Sequence, residues 1–457
     1  MAQQDSGHCW GNLPSVIMLE IFSYLPHEDR LSASAVCKNW RQALFHPSFW
    51  KEITFAFEHS DGLPWARYLA ECFALSVQEA TVRCWTPQRT AEFDRLLKRF
   101  RGNRNLRRLI MEPTSSSLEW QSNAPEGDEL TEGWVYPILD SVVKIIKTSK
   151  RVEALTLGCV EDLAARSGEI VAALCSSHHE RTVTHLGLAS VKDDPEDYEC
   201  ATLDAPTLRS FDRLAVLTID YDNVSDSLLG ALSYGELMRL VIHVHNWNEN
   251  LPGTTNAAWQ SFVQKKPLCT LRLNLLHAYA AVNVLDIEIL HPAMPLTHFK
   301  ALFCESVNVK ALLRMSNWYT HTLQSIAWID SISAEELVPP TLDLSAPDSP
   351  DPLVLIAWKC KRFSELVYIG HKYYQENILA MARLRGRALQ TFEFADSDII
   401  CDSDSPYEFK NIRKELKEIF GDHWKTFADD ELATVITDAI QGDSRDVIMP
   451  LVLQDAK

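Results

Sequence analysis

Apolar residues in the segment 13–50 follow the spacing of amphipathic helices. Four of them lie at i, i+3, i+4 and i+7 after a proline that suits a first helical turn: Met18, Ile21, Phe22 and Leu25. Two further short helices follow by the same criterion, the first beginning after Pro26 and the second ending before Pro47. A unit of roughly 40 residues has too small a core to enclose this much apolar surface. We therefore expect the segment to dock against another polypeptide.

Beyond Trp50 one spacing recurs along the chain: apolar, two residues, apolar, one residue, apolar. Clear copies begin at Val152, Val183, Leu214, Leu237 and Leu268, and weaker ones at Val77, Leu106, Leu296, Leu323, Phe363 and Leu389. The first three clear copies begin 31 residues apart, as do the last two. A fixed period of this length is typical of a stacked solenoid, in which the last two apolar residues of each copy lie on a short strand and point into the stack.

The recurring spacing is that of a leucine-rich repeat, L-x-x-L-x-L-x-x-N/C-x-L, and the stretches between copies have helical periodicity. The sequence therefore predicts an α/β fold, with three small N-terminal helices followed by an irregular solenoid that has a curved parallel sheet and outer helices. An ordinary α/β domain with unrelated strands is the alternative.

The same patterns divide the chain into four parts. These are an N-terminal tail (1–9), the three-helix unit (10–55), the solenoid (56–400) with loop insertions near 115–133 and 338–352, and a linker, capping helix and tail (401–457). The insertions are rich in proline, serine and acidic residues, which is typical of loops. We expect the helix that begins near Phe409 to cover the open end of the array, because a terminal repeat needs a cap.

Composition limits the possible partners and compartments. The 457 residues carry a net charge of −18, which argues against general affinity for nucleic acid or anionic membranes. The 11 cysteines form no C-x-x-C pair, so reduced thiols are expected. The start of the chain lacks the features of a signal peptide, and no stretch approaches the roughly 20 apolar residues of a membrane helix. We expect a soluble protein of the cytoplasm, the nucleus or both.

Candidate catalytic chemistry is sparse. The sequence contains no glycine-rich phosphate loop, no G-x-S-x-G and no H-E-x-x-H. His178, His179 and His185 lie close together, but no cysteine or carboxylate accompanies them at a convincing metal spacing, so no metal or cofactor is predicted. A cysteine nucleophile with a histidine partner stays open, since such partners need not be close in sequence.

The N-terminal helices resemble an F-box. The residues that carry the resemblance, in the family's order, are Leu13, Pro14, Ile21, Phe22, Leu25, Val36, Cys37, Trp40, Arg41 and Trp50. The segment departs from the family at Val16, where many members carry Glu, and at Arg30, where Leu often follows the Asp. The string from Ile21 to Trp50 is most similar to F-box only proteins of the thirty-third and thirty-ninth type, whose chains likewise follow the F-box with irregular leucine-rich repeats.

This resemblance implies a non-catalytic adaptor of the ubiquitin pathway. The F-box would hold Skp1, Skp1 would join a cullin scaffold with its RING subunit, and the repeat domain would capture a substrate protein for ubiquitination and proteasomal degradation. The residues expected to contact Skp1 are Leu13, Pro14, Ile17, Ile21, Phe22, Leu25, Leu31, Val36, Cys37, Trp40, Arg41, Leu44 and Trp50. The alternatives are a scaffold that binds Skp1 without a ligase role and an enzyme with a cysteine nucleophile.

Substrate contacts are expected on the concave face of the solenoid, which is where solenoids usually bind. The candidates are the outward strand residues and their neighbours: Thr156, Thr218, Asp220, His243, Arg272, Asn274 and Lys300. These residues include both positive and negative charges, so their charge does not indicate a particular class of substrate.

Overall fold

The computed structural model describes residues 10–119, 133–333, 339–340, 350–401, 409–421 and 424–456. The predicted tail 1–9 and most of the two predicted insertions therefore lie outside the described residues. Within the described ranges, no helix combines the length and the apolar character that crossing a membrane requires.

Three short helices form the N-terminal unit: α1 (Ser15–Tyr24), α2 (His27–Ser34) and α3 (Lys38–Leu44). A proline precedes each of the first two helices, as the sequence predicts. Phe22 is fully buried and contacts the rings of Trp40 and Phe49, with centroids 5.9 and 6.1 Å away. The Trp40 Nε1–H donates to the carbonyl of Trp10 over 3.0 Å, which ties the start of the unit to α3.

The rest of the chain is built on one parallel sheet of 12 strands that pair in chain order. Its strands are β1 (Glu52–Phe57), β2 (Glu79–Cys84), β3 (Arg108–Pro113), β4 (Ala154–Thr156), β5 (His185–Gly187), β6 (Val216–Asp220), β7 (Arg239–Val244), β8 (Thr270–Leu276), β9 (Leu296–Leu302), β10 (Ser325–Ile329), β11 (Glu365–Ile369) and β13 (Thr391–Phe394). A separate pair consists of β12 (Tyr373–Tyr374) and β14 (Ile399–Ile400).

The predicted solenoid is confirmed strand by strand. Each of the 11 predicted copies coincides with a strand, and 10 of those strands begin two residues after the first apolar residue of the copy. The exception is β9, which begins at Leu296 itself. The sequence reading missed β1, which opens the sheet directly after the three helices.

Helices cover one face of the sheet. They are α4 (Leu63–Phe73), α5 (Thr90–Phe100), α6 (Val135–Thr148), α7 (Glu161–Ala165), α8 (Ser167–Ser176), α9 (Ala205–Arg209), α10 (Asp226–Leu232), α11 (Asn256–Lys265), α12 (Tyr279–Val284), α13 (Val309–Trp318), α14 (Pro352–Lys359) and α15 (Gln375–Arg385). Five of them begin at a polar residue whose side chain accepts a backbone N–H of the first turn: Asp204, Ser225, Thr255, Asn308 and Asp351. Each such cap stabilises its helix by about 1 kcal/mol, which helps to fix where each repeat turns.

The C-terminal end of the chain forms α16 (Phe409–Phe420), α17 (Thr434–Thr437) and α18 (Arg445–Leu453). Helix α16 packs on the last repeat, where Ile412 and Leu416 are buried. Arg383 of α15 and Glu415 of α16 form an ion pair of 2.6 Å at the edge of this contact.

Candidate partner-binding surfaces

The N-terminal unit leaves many apolar side chains in water. Among the described residues, 6 of the 18 large apolar side chains that are exposed fall within residues 10–36: Trp10, Val16, Ile17, Tyr24, Leu31 and Val36. We call these six residues the apolar N-terminal surface. Concentrations of exposed apolar area on a folded protein mark interaction sites. The sequence analysis expected more apolar residues in this segment than its own core can bury, and the structure shows such residues exposed to water.

The predicted Skp1 contacts divide by exposure. Pro14, Ile17, Leu31, Val36 and Arg41 are exposed, Leu13, Ile21, Leu25, Cys37 and Trp40 are half-buried, and Phe22, Leu44 and Trp50 are buried. The side chains of the last three belong to the core of this chain, and their contact with Skp1 stays a prediction. Trp10, Val16 and Tyr24 are exposed as well but are absent from the predicted contacts. Periodicity identifies the buried face of a helix, whereas Val16 and Tyr24 lie off that face of α1 and Trp10 precedes the helix.

Trp50 joins the three helices to the first repeat. Its Nε1–H donates to the carbonyl of Leu44 over 2.7 Å, so the indole is held by the end of α3. Its ring stacks on Phe73 of α4, with centroids 4.9 Å apart and planes 13° apart. Trp65 contacts the same indole edge-on at 6.1 Å. The N-terminal unit and the solenoid therefore share a core at this point.

The predicted substrate-binding residues lie together on the face of the sheet opposite the helices, which we call the strand face. Strand register aligns Thr156, Gly187, Thr218, Val241 and Arg272 in one row across the sheet. The next row contains Asp220, His243, Asn274 and Lys300. All seven predicted residues therefore belong to two neighbouring rows.

The strand face is not open at these rows, so the expectation of exposed side chains is wrong. Thr156, Thr218, Asp220, His243 and Asn274 are buried. The side chains of Lys300 and Arg272 retain 12% and 20% exposure. Asp220 contacts Ser190 and Lys192, and His243 contacts Ser190. The cover over Arg272, Asn274 and Lys300 is the C-terminal segment, residues 443–456, which the sequence analysis assigned only to a tail. Its only sequence signal is the apolar run "VIMPLVL", in which Pro450 obscures the helical pattern.

Helix α18 lies against the strand face through apolar contacts. Ile448, Met449 and Val452 are buried in a second apolar cluster, separate from the main core. The sheet contributes residues from the ends of neighbouring strands to this cluster, among them Leu276 and Leu302. The C-terminal segment thus covers apolar area that would otherwise face water.

The segment ends in a buried carboxylate. Asp455 Oδ1 accepts a hydrogen bond from Arg272 Nη1 over 2.6 Å, and Oδ2 accepts from Asn274 Nδ2 over 2.8 Å and from Lys300 Nζ over 2.7 Å. Lys300 Nζ also donates to the carbonyl of Leu451 over 2.7 Å. We call Arg272, Asn274 and Lys300 the carboxylate pocket. Charge-assisted bonds of this kind are about twice as strong as neutral ones.

The charges of the pocket favour an ionised Asp455. Burial alone would raise the pKa of this carboxyl, but Lys300, Asn274 and Arg272 together hold it below its ordinary value. Burial also lowers the pKa of Lys300, because desolvation of its ammonium outweighs the attraction of Asp455. The pair is therefore costly to bury and depends on both members, so loss of one leaves the other uncompensated.

Acidification is expected to weaken the Asp455 contact. Because the folded pKa of Asp455 is lowered, its contribution to stability is complete above the unfolded value of about 4 and is lost as the pH falls through the folded value. The unfolding free energies of wild type and Asp455→Asn should therefore differ by a constant amount above pH ~5 and converge as the pH falls through the folded pKa of Asp455. Urea titrations of both proteins across this range measure the difference, and a difference independent of pH would contradict the assignment.

Three residues of the strand face could offer ligand atoms to a metal. Single atoms of Asp220, His243 and His245 lie within 4.8 Å of one another, and all three side chains are buried. The Lys192 ammonium lies 3.6 Å from the Asp220 carboxylate, and the Ser190 hydroxyl donates to that carboxylate over 2.7 Å. A lysine cation thus already neutralises the carboxylate, so we interpret the group as a buried polar network.

Burial and neighbouring charges shift the pKa values of Asp220 and His243 in this network. Burial alone would raise the pKa of Asp220, but His245 at 3.5 Å and the Lys192 ammonium hold it well below its usual value. Burial lowers the pKa of His243 to about 4, so its ring is neutral at pH 7. Its Nδ1 lies 2.8 Å from the carbonyl of Ser190, to which a neutral ring can donate.

Five buried cysteines and the half-buried Cys200 give no support to a thiolate nucleophile. Burial raises the pKa of Cys84, Cys200 and Cys269 to about 12 and that of Cys360 to about 11, and it raises those of Cys159 and Cys304 as well. Nucleophilic cysteines have lowered pKa values and positively charged surroundings. These six thiols are protonated at neutral pH and pack as small apolar side chains.

Comparison with known proteins identifies an F-box-like domain near the N-terminus. The F-box-like family model matches residues 10–56. F-box only protein 33 of Homo sapiens is 24% identical over 491 aligned residues, covering 93% of this chain and 85% of that protein. The Mus musculus protein of the same name is 23% identical with similar coverage. Similarity to the thirty-ninth type stays a prediction.

Other similarities are more local or more distant. F-box/LRR-repeat protein 21 of Bos taurus is 43% identical over 51 residues, which is 11% of this chain and 12% of that protein. The solved structure titled "Crystal structure of Rad7 and Elc1 complex in yeast" contains a chain with 13% identity and a TM-score of 0.41, covering 86% of this chain and 91% of that one. The chain therefore has an F-box-like domain at residues 10–56 ahead of a leucine-rich-repeat-type solenoid, and over most of its length it is similar to F-box only protein 33.

Proposed function

We propose that this protein is the substrate-recognition subunit of a Skp1–cullin–F-box ubiquitin ligase. The apolar N-terminal surface would bind Skp1, and the strand face of the solenoid would bind the substrate. The observation that carries the proposal is the F-box-like domain at residues 10–56, whose folded helices still present large apolar side chains to water.

Burial energetics support a stable complex at this surface. Fully burying an Ile, Val or Leu side chain contributes about 1.5–3 kcal/mol. Val16, Ile17, Leu31 and Val36 are between 41% and 75% exposed, so a partner has a large apolar area still to cover. Permanent interfaces are characteristically large and apolar. The unit of three helices thus suits a lasting partner better than a transient one.

The contribution to catalysis would be proximity. Holding a substrate beside an E2 thioester raises the effective concentration of its lysines without any acid, base or nucleophile from this chain. The shared core at Trp50 suits this role, because it couples the N-terminal unit to the repeats and so fixes the direction in which a bound substrate is presented.

Reconstitution tests the proposal. The full chain co-expressed with Skp1 should purify as a stable complex, and this complex should recover the cullin and RING subunits from cells. Leu13→Ala/Pro14→Ala should abolish recovery of Skp1 and of the cullin together. Turnover of a bound protein should also stop when cullin neddylation is blocked. A chain that purifies alone and ignores added Skp1 would overturn the proposal.

The alternative is a scaffold that binds Skp1 and never joins a cullin. The same purification separates the two functions, because a scaffold would yield Skp1 without cullin and would leave the turnover of bound proteins insensitive to neddylation.

A further inference from the structure

We infer that the carboxylate pocket and the apolar area beside it form the substrate-binding site, and that the C-terminal segment is its internal competitor. The substrate element would be a peptide segment with apolar residues and one acidic side chain, which displaces residues 443–456. This inference rests on the proposed function, since it names the chemistry of the substrate that the strand face would take.

The chemistry of the pocket points to a carboxylate ligand. Arg272, Asn274 and Lys300 come from two neighbouring strands, β8 and β9, and all three donors converge on the one side chain of Asp455. Arg272 and Lys300 bring two positive charges to a chain whose net charge is −18. A buried cationic site of this kind is unstable when empty of an anion.

The apolar half of the site sets the second requirement. Ile448, Met449 and Val452 are each 1% exposed or less and share a cluster with Leu276, Leu302 and Ile329 of the sheet. Release of α18 would leave those strand residues in water. A displacing ligand therefore needs apolar side chains of its own at a similar distance from its acidic residue.

The segment is held by few contacts outside this site. Ser444 Oγ lies 2.8 Å from His277 Nε2, and Arg445 forms an ion pair of 3.1 Å with Asp193. The turn before α18 borders a surface pocket of about 400 Å³, which Gly442 and Ser444 help to line. Just upstream, Ser331 Oγ donates to the carbonyl of Val435 over 2.7 Å, which anchors the chain. Residues 443–456 can therefore leave while α17 stays in place.

Tethering makes the segment an effective competitor. A ligand linked to its own site is present at an effective concentration on the order of mM, so a substrate in trans binds more weakly than the pocket alone would allow. Weakening the segment should raise the affinity of the chain for any ligand that uses the same contacts.

The test uses a fluorescent synthetic peptide of residues 443–457 and the full chain purified with or without Skp1. By anisotropy, the Asp455→Asn chain should bind this peptide at least about tenfold more tightly than wild type, because its own segment no longer holds the pocket. Adding Lys300→Ala to the Asp455→Asn chain should abolish binding, and a peptide carrying Asp455→Asn should bind about tenfold more weakly. The matched control is Asp446→Asn, the same charge change on an exposed residue of α18, which should leave binding at the wild-type level.

Hydrogen exchange on the same proteins makes the result decisive. In Asp455→Asn the amides of α18 should exchange faster while those of β7–β9 stay protected. Loss of protection in α18 and the sheet together would mean that the segment is an integral part of the fold and would overturn the inference. Faster exchange in α18 without any binding of the peptide would also overturn the inference. The same holds if Asp455→Asn is indistinguishable from wild type in both hydrogen exchange and peptide binding. Binding of Skp1 is measured in a separate experiment. If the chain does not bind Skp1, the proposed function is overturned, but the peptide-binding result is unaffected.

Discussion

Replacing Ile17 or Val36 by aspartate is expected to weaken binding to Skp1 by about a hundredfold. Each side chain is a large apolar group in water, 47% and 69% exposed, that the proposed partner would bury. Losing one apolar anchor costs about 1.5–3 kcal/mol, and forcing a carboxylate into an apolar interface adds further cost. Since about 1.4 kcal/mol corresponds to a tenfold change in affinity, a combined cost of about 2.7 kcal/mol gives the hundredfold increase in Kd.

The matched control for this experiment is Leu268→Asp. Leu268 is 72% exposed and lies in the repeats, so the same chemical change there should leave Skp1 binding intact. None of the three exposed sites contributes to the core, so all three variants should unfold within about 0.5 kcal/mol of wild type. Isothermal titration with purified Skp1 gives the affinities. Wild-type affinity in both Ile17→Asp and Val36→Asp would remove these residues from the interface.

The repeats were predictable because their pattern is local and repeated. In each copy the spacing of two apolar residues two positions apart marks the side of a short strand that faces the core. The 31-residue spacing between copies such as Val152 and Val183 makes chance agreement improbable. Strand β1 could not be predicted from this repeat spacing. It has an alternating burial pattern of its own but follows the N-terminal helices without a preceding repeat.

The site was predictable only in part, because its cover comes from far along the chain. The outward residues of β6 to β9 follow from strand alternation, so their grouping could be predicted. The contact between Asp455 and Arg272 joins residues 183 positions apart, and no local pattern encodes such a contact. A short apolar run at a chain end has the same composition whether it packs on the sheet or elsewhere. Exposure on the strand face was therefore beyond sequence reasoning.

Trp50→Ala is expected to destabilise the junction between the N-terminal helices and the solenoid by about 3–5 kcal/mol. The substitution removes the ring that stacks on Phe73 and leaves a cavity among aromatic side chains. It also leaves the carbonyl of Leu44 without its indole donor. The N-terminal helices should then unfold at lower urea than the repeats, so that circular dichroism shows two transitions where wild type shows one.

Graded variants separate the contributions at this junction. Trp50→Phe keeps an aromatic ring beside Phe73 and removes the hydrogen bond, so it should cost less, about 1–2 kcal/mol. Trp358→Ala is the control, because Trp358 is 64% exposed on α14, and its loss should change stability by under about 1 kcal/mol. If Trp50 couples the two parts, Trp50→Ala should retain binding to the peptide of residues 443–457 in the Asp455→Asn background while ubiquitin transfer to a bound substrate falls. A single transition at wild-type urea would show instead that the helices and the repeats are held together without this indole.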